Sequence, residues 1–532
     1  MLVTVRRSSA QRLPALVLSA LLLAACSGRQ APVTIASPGG TPSPGGVATS
    51  GAPSAAAVPT SSSAASATPP PPGGHSALPL SWRACDGGFE CATMTVPLDD
   101  AAPSAGTVGI AVARHRASGP GPRIGSLVIN PGGPGASAVD FMERDLVGIP
   151  AEVRARFDLV AFDPRGVGRS APVRCGTTSE LDTYFAVDPA PDTSAELAGF
   201  QQANAGFVRG CQQRSARILP HVSTAVVADD LDRVRASVGD TALTYLGYSY
   251  GTAIGAAYLD RYPTHVRAMV LDGALDPTLT WDELLGGQAG GFDGALGAFL
   301  ADCQAHSCAF RRAVTGDLGK AYDALARKVD QGPLPTGSGR RLGPAEFSYG
   351  VGAGLYSRAT GWPEIADGLA RAERGDGTAL LALSDSYLER TQDGYANVNE
   401  ANIAVNCVDR PWPRDIAPYR ALAAKVARTA PRFGPGIALS GAACADWPVA
   451  AQGHPHPVHG TGAPVVVVIG GTRDPATPYA WAERLAAQLD KAVLLTHVGD
   501  GHTVYRTSGP GCITRPVDAY LLGLVAPAKA TC

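Results

Sequence analysis

Charge is scarce in this chain. Only 17% of its 532 residues are charged, and the formal net charge is −2. A balance so near neutral offers no cationic face to a phosphate backbone, which sets nucleic-acid binding aside. No C-x-x-C pair occurs among the 11 cysteines, so the common zinc and dithiol-redox spacings are missing. No internal repeat is present. Residues 27–74 hold no aromatic side chain, and Arg29 is their only charge. Pro, Ala, Ser, Thr and Gly dominate there, and such a stretch cannot bury enough apolar surface to offset its ordering entropy. Residues 27–77 are therefore expected to act as a tether.

The apolar run at residues 13–25 is too short to span a bilayer stably. Arg6, Arg7 and Arg12 flank it on the N-terminal side, the pattern of an export signal. It ends in Leu23-Ala24-Ala25-Cys26, which is similar to a bacterial lipobox. Residues 1–26 are expected to be a lipoprotein signal, with Cys26 diacylated and the mature protein held on the outer face of the cell membrane. A simple secretory signal cleaved nearby is the alternative. Cysteines 85, 91, 175, 211, 303, 308, 407, 444, 512 and 532 remain. An even number in an exported chain argues for disulfides. Neighbours along the chain suggest 85–91, 175–211, 303–308, 407–444 and 512–532.

From about residue 78 strands alternate with helices, the profile of an α/β sheet. Residues 93–97 and 107–113 form an opening pair, and SLVIN (126–130) and DLVAF (158–162) are buried strands. Residues 172–219 look irregular and clipped by Cys175 and Cys211. Residues 224–238 carry Val227, Leu231, Val234 and Val238 on one helical face. After Asp276-Pro277 the periodicities become helical until strand pattern returns at VVVVI (465–469) and 491–496. The expected organisation is one mostly parallel core in two parts, 78–277 and 448–532, interrupted by a helical cap at 278–447. Two independent domains are the weaker alternative, because the last two strands would lack partners.

Gly247-Tyr248-Ser249-Tyr250-Gly251 matches G-x-S-x-G, although with 63 glycines in the chain roughly half a match is expected by chance. Its setting is more specific. A short apolar run leads in, and helix-spaced Ala253, Ala256, Ala257 and Leu259 lead out to Pro263. Strand, sharp turn and helix are what a nucleophile elbow needs to lift a serine hydroxyl off the sheet. A serine made nucleophilic needs a base and a group to orient that base. Asp474 follows the VVVVI strand on a loop, and His502 follows the next strand in Gly499-Asp500-Gly501-His502. Ser249, Asp474 and His502 thus stand in hydrolase order on three loops after strands. Asp500 and His497 are the rivals for acid and base. His454, His456 and His459 lie in a Pro/Gly loop without a carboxylate cluster, so neither metal nor cofactor is expected. The oxyanion calls for backbone N–H donors, one from Tyr250 and one from the loop Asn130-Pro131-Gly132-Gly133-Pro134-Gly135.

These motifs, with Asp163-Pro164-Arg165-Gly166-Val167-Gly168-Arg169-Ser170 and the Asp474-x-x-Thr477-Pro478 loop, resemble the secreted actinobacterial tripeptidyl aminopeptidases. Those are α/β-hydrolases related to proline iminopeptidases, with a characteristic C-terminal region. The likeness runs over about 78–532. It departs from the iminopeptidases at Asn130-Pro131, where they carry His. The resemblance implies a serine exopeptidase acting on peptides with free N-termini, with Gly133 as the second oxyanion donor. A substrate ammonium needs a carboxylate; Glu400 and Asp409, in the stretch 399–409, are the candidates. Thr477 is expected to bond near Asp474. A cell-surface esterase or lipase of the same fold is the alternative function, and a non-catalytic binding lipoprotein the more distant one. Aspartate-nucleophile chemistry is disfavoured by serine at the elbow.

Overall fold

Ten strands form one sheet in a computed structural model that describes residues 74–532. The export signal, Cys26 and the tether up to residue 73 lie outside the described residues. In chain order the strands are β1 (Arg83–Ala84), β2 (Glu90–Pro97), β3 (Thr107–His115), β4 (Gly125–Asn130), β5 (Phe157–Phe162), β6 (Leu243–Tyr248), β7 (Val266–Asp272), β8 (Val466–Arg473), β9 (Ala492–Asp500) and β10 (Ala530–Thr531). Their spatial order is β1-β2-β3-β5-β4-β6-β7-β8-β9-β10. The pairs from β5 through β10 are parallel, and β1, β2 and β3 add an antiparallel edge.

Both faces of the central strands are covered, which is why they read as unbroken apolar runs. Successive side chains alternate between two cores. Val128, Val466 and Val468 pack on one face, whereas Leu127, Ile129, Val467 and Ile469 pack on the other. Because β8 pairs with β7, residue Val466 lies beside Met269 although nearly two hundred residues intervene. The helical cap leaves the sheet after β7 and returns at β8, and it carries its own core around Phe292, Leu296, Phe299 and Trp362. Its principal helices include Trp281–His306, Pro344–Gly354, Gly361–Glu373 and Val398–Asp409.

One expectation needs correction. Residues 172–219 are not irregular: they contain helices Thr178–Phe185 and Ser194–Ser215. Each opens with a capping box, Thr177 with Glu180 and Thr193 with Glu196. In such a box, threonine and glutamate exchange bonds with each other's backbone N–H. The two helices bury Leu181, Phe185, Phe207 and Val208. The five disulfides pair as the chain order suggests: 85–91, 175–211, 303–308, 407–444 and 512–532.

Candidate active site

Ser249 stands between β6 and the helix Gly251–Arg261 with φ at 54°. A left-handed serine costs on the order of 1 kcal/mol or more and persists only where its surroundings hold it. Here Ser249 donates its N–H to the Asp272 carbonyl at 2.8 Å, while Thr252 donates its N–H (2.8 Å) and hydroxyl (2.6 Å) to the Ser249 carbonyl. The flanking glycines are required by close approach. A Cβ on Gly247 would lie 2.5 Å from the Gly251 carbonyl oxygen, and one on Gly251 2.6 Å from that of Asn130. The turn therefore doubles back on itself and seats the helix against the end of β4.

β8 and β9 deliver the other two groups. His502 Nδ1 lies 2.8 Å from each carboxylate oxygen of Asp474. Asp474 is itself held by the N–H groups of Ala476 (2.9 Å) and Thr477 (2.8 Å) and by the Thr477 hydroxyl at 3.0 Å. That hydroxyl is also 3.3 Å from His502 Nδ1. His502 Nε2 is buried with no hydrogen-bond partner among the described residues. The ring sits over Gly273, where an added Cβ would be 3.2 Å from Cε1. Gly273 follows Asp272, the residue that takes the Ser249 N–H, so the imidazole stands beside the elbow. Burial pulls the His502 pKa down, but the Asp474 charge and hydrogen bond outweigh it and leave the net shift upward. Asp272 is buried as well; its carboxylate accepts from Val504 and Tyr505 N–H, yet desolvation raises its pKa to about 6.

Neither rival joins this pair. Asp500 pairs with Arg473 and Arg358. His497 lies within β9 beside Gly471 and has no bond to Asp474. His456 faces Asp260, and His459 bonds the Gln488 carbonyl.

Gly132 lies against the elbow, where an added Cβ would be 2.8 Å from the Tyr250 nitrogen. Among the described residues, the N–H groups of Gly133 and Tyr250 have no protein acceptor. Gly133 and Tyr250 line a common cavity with Ser249. Two free donors beside a serine can receive a developing oxyanion. The Asp163 carboxylate braces this loop by accepting from Ser137 Oγ (2.8 Å), Val139 N–H (3.2 Å) and Arg169 N–H (2.8 Å). Arg165 fixes the same turn through a buried pair with Asp230.

The cavity has a volume of about 370 Å³ and is lined on one side by the cap. Helix Val398–Asp409 rests on the oxyanion loop, with the Asn402 amide donating to the Pro134 carbonyl at 3.2 Å. Asn399, Asn402, Asn406 and Asp409 line the cavity, and so does Arg410 just beyond the helix. Glu400 is not brought to it. One of its carboxylate oxygens accepts from the Cys175 and Gly176 N–H groups, on the side of the helix away from the cavity. Helical spacing explains the difference: 399, 402, 406 and 409 share a face, and 400 points about 100° away. Asp409 accepts from the Thr224 N–H and hydroxyl, and that hydroxyl also meets the Tyr250 phenol.

Sequence reasoning missed Tyr356. It lies beyond helix Pro344–Gly354, and its carbonyl accepts the His502 N–H at 2.9 Å. Its ring stands edge-on to the imidazole with centroids 5.2 Å apart. Nothing local in the sequence marks this contact, which exists only because the cap folds onto the histidine loop.

A family model described as alpha/beta hydrolase fold matches residues 125–507. The serine protease Hip1 of Mycobacterium tuberculosis is 38% identical over 486 residues, covering 84% of this chain and 90% of that protein. Carboxylesterase B of the same species is 39% identical over 452 residues, covering 83% of this chain and 86% of that protein. Tripeptidyl aminopeptidase of Streptomyces lividans is 33% identical over 447 residues, covering 82% and 81% respectively. The family match and these long alignments agree with the parallel sheet and its three post-strand loops: the chain belongs to the alpha/beta hydrolase fold family and is a hydrolase.

Proposed function

We propose that the protein is an exported serine exopeptidase that removes short peptides, most simply tripeptides, from free N-termini. The observation that carries this reading is a cap-lined cavity shared by Ser249 and two free backbone donors. At about 370 Å³ it suits a short chain end rather than a folded segment. Asparagine amides on its wall suit an extended peptide, whose own N–H and C=O groups need partners once desolvated. Two of the named relatives, the serine protease and the tripeptidyl aminopeptidase, support peptide hydrolysis as a class, whereas the carboxylesterase suits the esterase reading.

In this mechanism Ser249 Oγ attacks the scissile carbonyl while His502 Nε2 takes its proton. Asp474 keeps Nδ1 protonated and stabilises the imidazolium. The N–H groups of Gly133 and Tyr250 hold the oxyanion. Collapse breaks the C–N bond, and His502 returns the proton to the departing amine. Water then attacks the acyl-enzyme along the reverse sequence and frees the peptide. No metal or organic cofactor is invoked. Asp409, a carboxylate on the cavity wall, is the residue assigned to receive the substrate ammonium. Five disulfides suit an oxidising compartment outside the cytoplasm. Lipid attachment at Cys26 would tether the enzyme to the membrane face.

The deciding assay compares a tripeptide 4-nitroanilide with its N-acetyl twin. A charge-assisted contact contributes about 1.5–3 kcal/mol, so the free amine is expected to be favoured roughly ten- to a hundred-fold in kcat/KM. Asp409→Asn should remove most of that preference. Ser249→Ala should abolish turnover and labelling by a fluorophosphonate. Equal cleavage of the twins would instead favour the esterase reading, which the aromatic side of the cavity (Phe200, Phe292, Trp412 and Phe433) also suits.

A further inference from the structure

The cavity wall carries one cationic side chain, Arg410, immediately after helix Val398–Asp409. Its Nη1 is shut from solvent and has no hydrogen-bond partner among the described residues. Neither acidic residue on the same wall bonds Arg410 Nη1, and both accept from other donors. Asp276 is bound by Arg484, Gln488 and Thr278, and Asp409 by Thr224. Burial pulls the Arg410 pKa below its ordinary value, and Asp409 and Tyr250 only partly offset this. A guanidinium nevertheless stays charged at any pH the fold survives.

A guanidinium N–H shut from water without an acceptor is costly, even on a partly buried side chain, unless something else compensates it. Unsatisfied donors of this kind are rare in folded chains and call for a reason. The planar guanidinium offers paired N–H donors whose geometry matches a carboxylate. Tyr250 links the two ends of the cavity. Its N–H is at the elbow, and its phenol meets Thr224 and feels both Asp409 and Arg410. Arg410 directly follows Asp409, which is bonded to Thr224, so it belongs to the Thr224 part of the cavity wall.

We infer that Arg410 is an anion anchor, and that the preferred substrates are short peptides carrying a carboxylate that reaches it. The inference rests on the peptidase reading and narrows its substrate class. The carboxylate has two sources, an Asp or Glu side chain or the α-carboxylate of a short peptide. With Asp409 one position earlier on the same wall, a chain end that carries both ammonium and carboxylate would meet opposite charges side by side.

The test uses the full-length enzyme and a tripeptide 4-nitroanilide series with Glu exchanged for Gln at each position in turn. A second arm compares unmodified tetrapeptides with their C-terminal amides. At one position Glu is expected to exceed Gln at least ten-fold in kcat/KM, mainly through KM. Arg410→Gln should bring that ratio to about one, and Arg410→Lys should keep part of it. Each ratio is internal to one variant, so a general loss of activity cancels. A preference for the free C-terminus over the amide, lost in Arg410→Gln, would support the anchor and identify the α-carboxylate as its ligand. If wild type prefers the carboxylate in neither arm, the inference is overturned even should both variants fail to fold. Persistence of the preference in Arg410→Gln also overturns it. The N-acetyl comparison above reads the amine independently, so failure of the anchor and failure of the exopeptidase reading give different patterns.

Discussion

Ser249 keeps its left-handed backbone because three hydrogen bonds, one to Asp272 and two from Thr252, hold it there. The strain is local and the restraint is distant, since Asp272 comes from the neighbouring strand. The same division applies to His502, whose raised pKa reflects Asp474, a residue delivered by another loop. General-base action needs neutral imidazole, so kcat/KM should fall as pH drops through a value above the ordinary 6.5. Asp474→Asn removes the charge that raises this value and leaves the burial that lowers it. We expect kcat to fall about 10³–10⁴-fold, with the acid limb of the remaining activity moved to lower pH. A pH–rate profile of the variant measures both, and an unmoved limb would show that another group sets it. The elbow serine and the histidine were legible from glycines and strand endings around them. Tyr356 was not, because its contact with His502 is made across the cap.

Among the elements, the stretch 399–409 was singled out by its acidic residues alone; that it is the helix Val398–Asp409, and which of its faces meets the cavity, was decided by packing. Glu400 and Asp409 are equally acidic in a linear reading, and only the helical register separates them. The cap helix Trp281–His306 makes a comparable choice. A Cβ on Gly291 would lie 2.4 Å from the Pro475 carbonyl oxygen and 3.3 Å from that of Asp474, whereas Gly290 has nothing within 4 Å. Gly291→Ala should push the helix off the acid loop, costing about 1–3 kcal/mol of stability and at least ten-fold in kcat. Gly290→Ala should leave kcat intact and add up to about 1 kcal/mol through helix propensity. Thermal unfolding and steady-state kinetics on the pair test this. Equal behaviour of the two variants would reject the proposed helix–loop contact. The capping boxes at Thr177 and Thr193 were readable signals for the helices in 172–219, and the cysteines and prolines there obscured them.

For the molecule as a whole, the five disulfides and the residues before the fold make one argument about compartment. Leu23-Ala24-Ala25-Cys26 is similar to a lipobox, and lipid attachment at Cys26 is the proposal it motivates. Cys26→Ser should move the protein from the membrane fraction into the medium, or leave it as an uncleaved precursor. Mass spectrometry of the wild type would contradict lipidation if the mature N-terminus were unmodified and remote from Cys26.

What the sequence determined by itself was whatever short-range chemistry encodes. Buried strands need continuous apolar runs, the elbow needs glycines at 247 and 251, and the acid and base follow strand ends in hydrolase order. Cysteines close along the chain were also close in space. The tertiary structure alone decided the rest. It made β8 a neighbour of β7 across the whole cap and turned Glu400 toward the Cys175 loop. It also left Arg410 on the cavity wall with its Nη1 unbonded among the described residues. Those outcomes depend on contacts between residues tens to hundreds of positions apart. Their energies come from desolvation and packing that exist only once the cap has closed on the sheet.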